Sequence, residues 1–350
     1  MEIFLEETMD NVPEPRVAIL IPAWNQIDEL RQCLESFSCD NYTNYEVIVV
    51  NNGTDDNTSE VIRRDYSWVT LIEEGFNLGF CKANNIGLRY CSKKNFEYVV
   101  LLNADTKVLP GFIGGLVRIM REDPKIGIAG AKNLLMDNPS FMWGQYGKVT
   151  WGPMLSKIVG RFEPDRNLNE PPRDVDWVIC NGCIISRAAL EAVGEFDENF
   201  WQCDEDIDLS YRAREAGFRI IYADSVAILH KGSSSTDSGR KKIFSYGYFL
   251  GRNAIMFAKK HATLIQMIKL IIMMAIGTVV RFAYFSIIIM KDGLIGAIIM
   301  DKFFLRGIYD GLHGKLSPDY IMIHRPDSPA TTNAPEQGRW VRFKRWMGAA

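Results

Sequence analysis

Four carboxylates fall within five positions at Asp204, Glu205, Asp206 and Asp208, the most acidic stretch of a 350-residue chain. They crowd what reads as the start of a helix, where the backbone dipole favours negative charge. One of them could serve as a simple cap. Capping does not account for four that repel one another. Such crowding raises proton affinity and can poise one carboxylate as a general base. A second polar constellation lies in "VVLLNAD", residues 99–105, where four apolar residues run into Asn103, a spacer and Asp105. His230 closes a later apolar run, "AILH", and by itself reads as an ordinary hydrogen-bonded histidine.

The elements around these residues follow an alternating pattern. Apolar, β-branched runs at residues 17–21, 45–50, 69–72, 98–102 and 126–129 read as buried strands. Residues 28–37, 56–65, 82–90 and 110–122 between them read as helices. Strands apolar throughout and separated by helices imply an α/β domain with a mainly parallel sheet covered on both faces. In such sheets ligands sit beyond the carboxyl ends of the strands. Asn103 and Asp105 fall there. So do Pro22-Ala23-Trp24-Asn25 after the first strand and "NNGTDDNT", residues 51–58, after the second. Asn and Asp are ordinary turn formers, but three such ends on one edge of one sheet mark a crevice.

From residue 133 to 173 the pattern breaks into Gly, Pro, Trp and polar residues, which predicts an irregular, mobile insertion over the crevice. Residues 177–186, "WVICNGCIIS", then read as one strand. Cys180 and Cys183 form one C-x-x-C with no second pair, so they read as packing residues rather than zinc ligands. Seven cysteines in no regular framework fit a reducing compartment. There is no G-x-G-x-x-G after the first strand and no G-x-x-x-x-G-K-[ST], which removes the main support for a dinucleotide oxidoreductase or a P-loop enzyme.

In order and spacing, Asn103-Ala104-Asp105, the acidic "EDID" of residues 205–208 and His230 resemble the inverting family 2 glycosyltransferases of the GT-A fold, in particular their rhamnosyltransferase-like branch. The resemblance covers roughly residues 17–235. It extends to "IPAWNQ" at 21–26, "EVIVVNNGTDDNT" at 46–58, "NLGFCKANNIGL" at 77–88 and "VGEFDENFWQCDEDIDLSYRAREAG" at 193–217, the last being the most specific. It implies that Ala23, Asn25, Asn51 and Asp56 line the base and ribose of a nucleotide sugar, with Asn77, Asn84 and Asn103 framing the same pocket. Asp105 and His230 would hold a divalent metal, Mn or Mg. Asp206 would be the base that deprotonates the acceptor hydroxyl, with Glu205 beside it and Arg212 tying the acidic helix together. This chain departs from the family at Asn51 and Asn103, where Asp is common. That alters the contact with the base and leaves one strong carboxylate for the metal.

The charge is unevenly spread. From Arg240 onward there are 17 Lys/Arg and 6 Asp/Glu, a net of +11, against 23 and 37, a net of −14, before it. The opening "MEIFLEETMD" has too short an apolar run for a signal peptide. Residues 270–290 are almost wholly apolar but carry Arg281 near their centre, which disfavours a membrane span. Helices lying in the membrane interface are the favoured reading, ahead of a homo-oligomer or core contact. The basic aromatic "GRWVRFKRWM" near the end favours an anionic membrane surface over nucleic acid. The expected layout is an N-terminal extension (1–15), a GT-A catalytic domain (16–238) and a helical, membrane-associating region (239–350).

The expected function is transfer of a sugar, with rhamnose one candidate, from a nucleotide diphosphate sugar to a glycan or polyprenyl-linked acceptor. The enzyme would work in the cytoplasm, peripherally attached to the cytoplasmic face of the membrane. The competing readings are a nucleotidyltransferase of related fold and a non-catalytic glycan-binding or scaffold protein.

Overall fold

The computed structural model describes residues 13–232, 240–288 and 293–317. In chain order, β1 (Val17–Ala23), α1 (Ile27–Ser36), β2 (Tyr45–Asn52), α2 (Thr58–Asp65), β3 (Thr70–Glu74), α3 (Phe80–Ser92) and β4 (Tyr98–Leu101) form the first half. There follow β5 (Thr106–Val108), α4 (Phe112–Glu122), β6 (Ile126–Leu135), β7 (Asn138–Gly144), β8 (Tyr146–Val149) and β9 (Ser156–Ile158). Next come β10 (Arg173–Asp174), β11 (Trp177–Val178), β12 (Cys183–Ser186), α5 (Arg187–Val193), α6 (Glu205–Glu215) and β13 (Arg219–His230). Three helices close the described chain: α7 (Arg240–His261), α8 (Leu264–Ile288) and α9 (Gly293–Leu312).

The main sheet runs β10-β13-β6-β12-β4-β1-β2-β3, with β5 on β13 and β7 on β6. Strands β4, β1, β2 and β3 are parallel, as their unbroken apolar runs predict. The second half is mixed, because β12 lies antiparallel between β4 and β6. The period-2 rule explains why both faces of β1 are apolar. Val17, Ile19 and Ile21 pack with Leu30 and Leu34 of α1 and Leu116 of α4. Ala18 and Leu20 face the other layer, with Leu88 of α3, Leu209 of α6 and Phe257 of α7. Each such aliphatic side chain, fully buried, contributes about 1.5–3 kcal/mol.

Two expectations change. Residues 133–173 are irregular only in part, at 150–155 and 159–172: β6 runs on to Leu135, β7 folds back on it, and β8 joins β9 and β11 in a second, three-stranded sheet. β8, β9 and β11 are too short for an alternation of polar and apolar residues to be read from sequence, and β7, "NPSFMWG", carries the Asn, Pro and Gly of a loop. Their packing is intimate, since the Trp177 ring lies where a side chain on Gly147 would begin. Residues 177–186 are likewise not one strand. The chain leaves the ladder after Val178 and returns at Cys183, and Gly182 makes the turn at a φ of +79°.

Helix α7 packs along α9 and sends Ala254, Ile255, Phe257 and Ala258 into the core layer that covers the sheet. Helix α8 buries Leu270 and Met274 but leaves Leu264, Ile265, Ile268, Ile272, Ile276 and Val279 exposed at helical spacing. Among the described residues no helix is long and apolar enough to cross a membrane. Most of the N-terminal extension, the end of the 270–290 run and the basic aromatic segment lie outside the described residues.

Candidate active site

The parallel register of β1, β2 and β4 brings their polar ends to one edge. Ala23 stands opposite Asn51 in the β1–β2 ladder. Beyond it, Asn25 takes a positive φ of 50° and its Oδ1 accepts the Asp55 N–H at 2.8 Å. Asp56 accepts the Thr58 N–H at 3.1 Å and the Ile27 N–H at 3.3 Å, so it joins the starts of α2 and α1. Asn51 accepts the Thr54 N–H at 3.0 Å and donates to Ser59 Oγ at 2.6 Å. These residues shape the loops at the strand ends, and the Asn25 side chain remains exposed.

The next pair frames the entry to α3. Asn77 Oδ1 accepts the Gly79 N–H at 2.8 Å and an Asn52 N–H at 3.1 Å. Asn52 also accepts the Leu78 N–H at 2.9 Å, a role its own position in "NNG" did not signal. Asn84 is fully buried and donates to the Phe80 carbonyl at 3.0 Å, while its Oδ1 has no hydrogen-bond partner.

On the far side of β4, the antiparallel pairing of β13 with β5 sets His230 against Thr106. His230 Nε2 comes within 3.4 Å of Asp105 Oδ1, both side chains nearly buried, and its Nδ1 has no hydrogen-bond partner. The imidazole and the carboxylate thus face each other at a distance longer than a tight charged hydrogen bond. Among the described residues no cluster of three or more His, Cys, Asp or Glu side chains forms a metal site. Any metal here would take its remaining ligands from elsewhere.

Acid cluster geometry separates the four carboxylates. Asp204 stands at the N-cap of α6 in left-handed backbone, but its side chain makes no capping bond, so the simple capping role is not its own. Asp208, expected to share in the mutual repulsion, does not. It is fully buried against Arg212 at 2.8 Å, Lys260 at 2.6 Å and His261 at 2.9 Å. Burial alone would raise its pKa, but His261, Arg212 and Lys260 outweigh it and hold the carboxyl at about 2. Burial instead raises Asp206 to about 7, against the pull of the Ile207 and Cys180 backbone N–H groups. Asp204 is pushed to about 7 by burial and by Asp206, and Glu205 is raised by the same two causes. Asp206 thus titrates near neutrality while Asp208 is a fixed anion.

Residues 15–244, about two thirds of the chain, match the family described as Glycosyltransferase like family 2. The chain belongs to that family. The glycosyltransferase is 26% identical over 227 residues to an N-acetylglucosaminyl-diphospho-decaprenol L-rhamnosyltransferase of Mycobacterium tuberculosis, covering 59% of this chain and 73% of the relative. It is also 26% identical over 211 residues to the poly-beta-1,6-N-acetyl-D-glucosamine synthase of Staphylococcus aureus, and this match spans 47% of the synthase. In fold it is similar to a mannosyltransferase of Pyrobaculum calidifontis solved with GDP-Man and Mn2+, with a TM-score of 0.53 and 15% identity, covering 87% of this chain and 89% of that one. It is similar also to GalNAc-T7 solved with UDP, GalNAc and Mn2+, with a TM-score of 0.53 and 16% identity, covering 73% of this chain and 53% of that one. The GT-A architecture expected from the sequence is therefore the fold observed.

Two residues beside the Asp105 and His230 side chains were not signalled by the sequence. Asn181, in the turn between β11 and β12, is buried and accepts the Asn103 N–H at 2.9 Å and the Thr106 hydroxyl at 2.9 Å. It therefore holds both flanks of Asp105. It stands within "CNGC", where the cysteines drew the attention. Both thiols are buried, and Cys180 is pushed up by a bond to Cys183 and by burial, which suits packing rather than thiolate ligation. The second is Trp143 of β7, whose ring centroid lies 5.0 Å from that of His230.

Proposed function

We propose that the protein is a metal-dependent, inverting glycosyltransferase that moves a sugar from a nucleotide diphosphate sugar to a hydroxyl of a lipid-linked or cell-surface glycan. The observation that carries this reading is that one turn joins two centres: a carboxyl poised near neutrality at Asp206, and the Asp105–His230 couple at the end of β4. The Cys180–Gly182 turn links them, for its backbone meets Asp206 and its Asn181 holds Asn103.

The strand-end residues Ala23, Asn25, Asn51, Asp56, Asn77 and Asn84 would hold and frame the nucleotide, and the unpartnered Asn84 Oδ1 offers one buried acceptor. Asn103 would face the sugar beside the diphosphate. Asp105 and His230 would hold Mn or Mg, with diphosphate oxygens completing the coordination. Bound there, the cation would neutralise charge building on the departing nucleoside diphosphate. Asp206 would take the acceptor proton as its oxygen attacks the anomeric carbon from the face opposite the leaving group, which inverts that centre. Glu205, kept protonated by burial, would keep a second negative charge away from an ionised Asp206 as it takes that proton. Alignment of acceptor and donor in the crevice supplies much of the remaining acceleration.

A membrane-borne acceptor is supported by the apolar outer face of α8, together with the net charge of +11 from Arg240 onward. Apolar side chains at helical spacing beside basic residues suit the interface of an anionic bilayer. Cytoplasmic attachment follows if the donor is a cytoplasmic nucleotide sugar. Rhamnose is the first sugar to try, given the rhamnosyltransferase relative. A panel of UDP- and dTDP-linked sugars tests the reading: metal-dependent release of nucleoside diphosphate supports it. Release of pyrophosphate would mean a nucleotidyltransferase, and no turnover at all a binding protein.

A further inference from the structure

The acid helix α6 is launched from a turn that could not hold itself. Trp201, Cys203 and Asp204 take positive φ values of 63°, 64° and 63°, a conformation non-glycine residues rarely adopt. Such a turn persists only where its surroundings over-determine it. Every carbonyl from Asn199 to Asp204 has a donor. Within the sheet domain, the Cys81 N–H donates to Trp201 O at 3.2 Å, the Gln202 N–H to Phe200 O at 2.7 Å and the Asp208 N–H to Asp204 O at 3.1 Å. The other three carbonyls are served by α7.

Two adjacent buried polar side chains of α7 do this. Asn253 is fully buried, and its Nδ2 donates to Cys203 O at 2.7 Å and Gln202 O at 2.9 Å. Arg252 is buried beside it. Its Nη1 donates to Asn199 O at 2.7 Å and to Asn253 Oδ1 at 2.9 Å, while its Nε donates to Lys315 O at 2.6 Å. Arg252 thus fixes the amide orientation of Asn253, and the Asn253 amide spends both hydrogens on the turn. On the opposite side the Trp201 ring lies 2.7 Å from where a Cβ on Gly79 would stand, so only glycine fits there. Two turns further along α7, Lys260 bridges Asp197 at 2.9 Å and Asp208 at 2.6 Å, one on each side of the turn.

We propose that Asn253, oriented by Arg252, is a positioning residue for catalysis: it locks the 199–204 turn and so sets the direction in which Asp206 faces the acceptor. This rests on the reading of Asp206 as the base. It also means that a helix lying mostly beyond the family match, which ends at residue 244, completes the catalytic centre. A buried Arg–Asn pair whose hydrogen bonds all go to backbone carbonyls or to each other has no such demand from helix packing alone, which Ile255 and Phe257 on the same helix provide.

The test compares Asn253→Ala with Ile255→Ala, a core truncation on the same helix, in the full-length protein. Turnover is measured with whichever UDP- or dTDP-linked sugar the native protein uses fastest in Mn2+, and hydrogen exchange is followed across residues 199–209. Asn253→Ala should lower kcat about 30- to 100-fold with donor KM within about threefold, and should speed exchange in that peptide. Ile255→Ala should keep kcat within about twofold at a comparable loss of Tm. Adding Cys203→Gly to Asn253→Ala should recover part of kcat, because glycine takes the positive φ without the brace. If Asn253→Ala does not fold, Asn253→Ser with Cys203→Gly takes its place under the same criteria. A kcat loss no greater than that of Ile255→Ala, or unchanged exchange in residues 199–209, overturns the proposal. Native protein that turns over no nucleotide sugar would instead defeat the functional reading, and hydrogen exchange alone would then decide whether Asn253 braces the turn.

Discussion

Asp206 and Asp208 stand two residues apart on α6 and hold their protons at opposite ends of the carboxylate range, at about 7 and about 2. The difference is one of partners. Asp208 is enclosed by Arg212, Lys260 and His261, whereas Asp206 meets backbone N–H groups, whose pull burial outweighs. A fixed anion thus anchors the helix next to a carboxyl that can still exchange its proton near neutral pH.

Removing the exchangeable carboxyl should stop the chemistry and spare binding. Asp206→Asn is expected to lower kcat by roughly three orders of magnitude, with the affinity for Mn2+ and nucleoside diphosphate within about threefold of native. Glu205→Gln should cost less than a tenth of that loss. Steady-state kinetics beside calorimetric titration of nucleotide checks both, and near-native turnover by Asp206→Asn would remove it as the base.

The same proton predicts how stability changes with pH. An aspartate that ionises near 3.8 unfolded but about 7 folded carries no penalty below pH 4, where both states are protonated. Between pH 4 and 7 the unfolded chain gives up this proton and the folded one keeps it, so the fold loses stability as pH rises. Above pH 7 the loss is complete. Asp206→Asn should therefore melt like the native protein at pH 4 and about 3 °C or more above it at pH 8. Melting curves that stay superimposed at pH 8 would show that the carboxyl is not held protonated by the fold.

Much of the site was legible because it sits at strand ends. Asn103 and Asp105 could be placed from four apolar residues running into them, and the parallel register then aligned Ala23 with Asn51. Pairings between distant segments could not be read. No sequence interval tells that Asn181 reaches the flanks of Asp105, or that Asn253 reaches Cys203 fifty residues earlier. The acid cluster misled in one respect, since charge counting gave Asp208 a share in repulsion that Arg212, Lys260 and His261 in fact neutralise. Of the strands after residue 135, β8 to β11 were missed because two to four residues are too few to display a period, and β7 because its "NPSFMWG" carries Pro, Asn and Gly like a loop.

Asp105→Ala should abolish the Mn2+-dependent part of nucleotide binding while leaving the fold intact, because the side chain lies between strands rather than in the apolar core. His230→Ala should weaken it less, by about 10- to 100-fold. Thermal shift with and without Mn2+ and UDP is sufficient. A full metal-dependent shift in Asp105→Ala would place the metal elsewhere.

Membrane attachment can be separated from catalysis on α8. Ile265→Glu with Val279→Glu puts two charges on its exposed apolar face, far from the Asn253 brace, and should reduce flotation with anionic liposomes several-fold while nucleotide binding holds. Removing residues 338–350 should weaken flotation further and make it less salt-sensitive. Deleting everything after Arg240 would be a poor test, since it also removes Arg252 and Asn253 from the acid turn. Native protein that fails to float at low salt would return the α8 face to an oligomer contact.

In the proposed reaction Asp206 activates an acceptor against a metal-bound nucleotide sugar. The most direct measurement is nucleoside diphosphate release from a panel of UDP- and dTDP-linked sugars, with Mn2+ or with chelator, for native protein and Asp206→Asn side by side. Release is expected from at least one donor, dependent on the metal and lost in the variant. Release that persists in Asp206→Asn, or that yields pyrophosphate in place of nucleoside diphosphate, would contradict it.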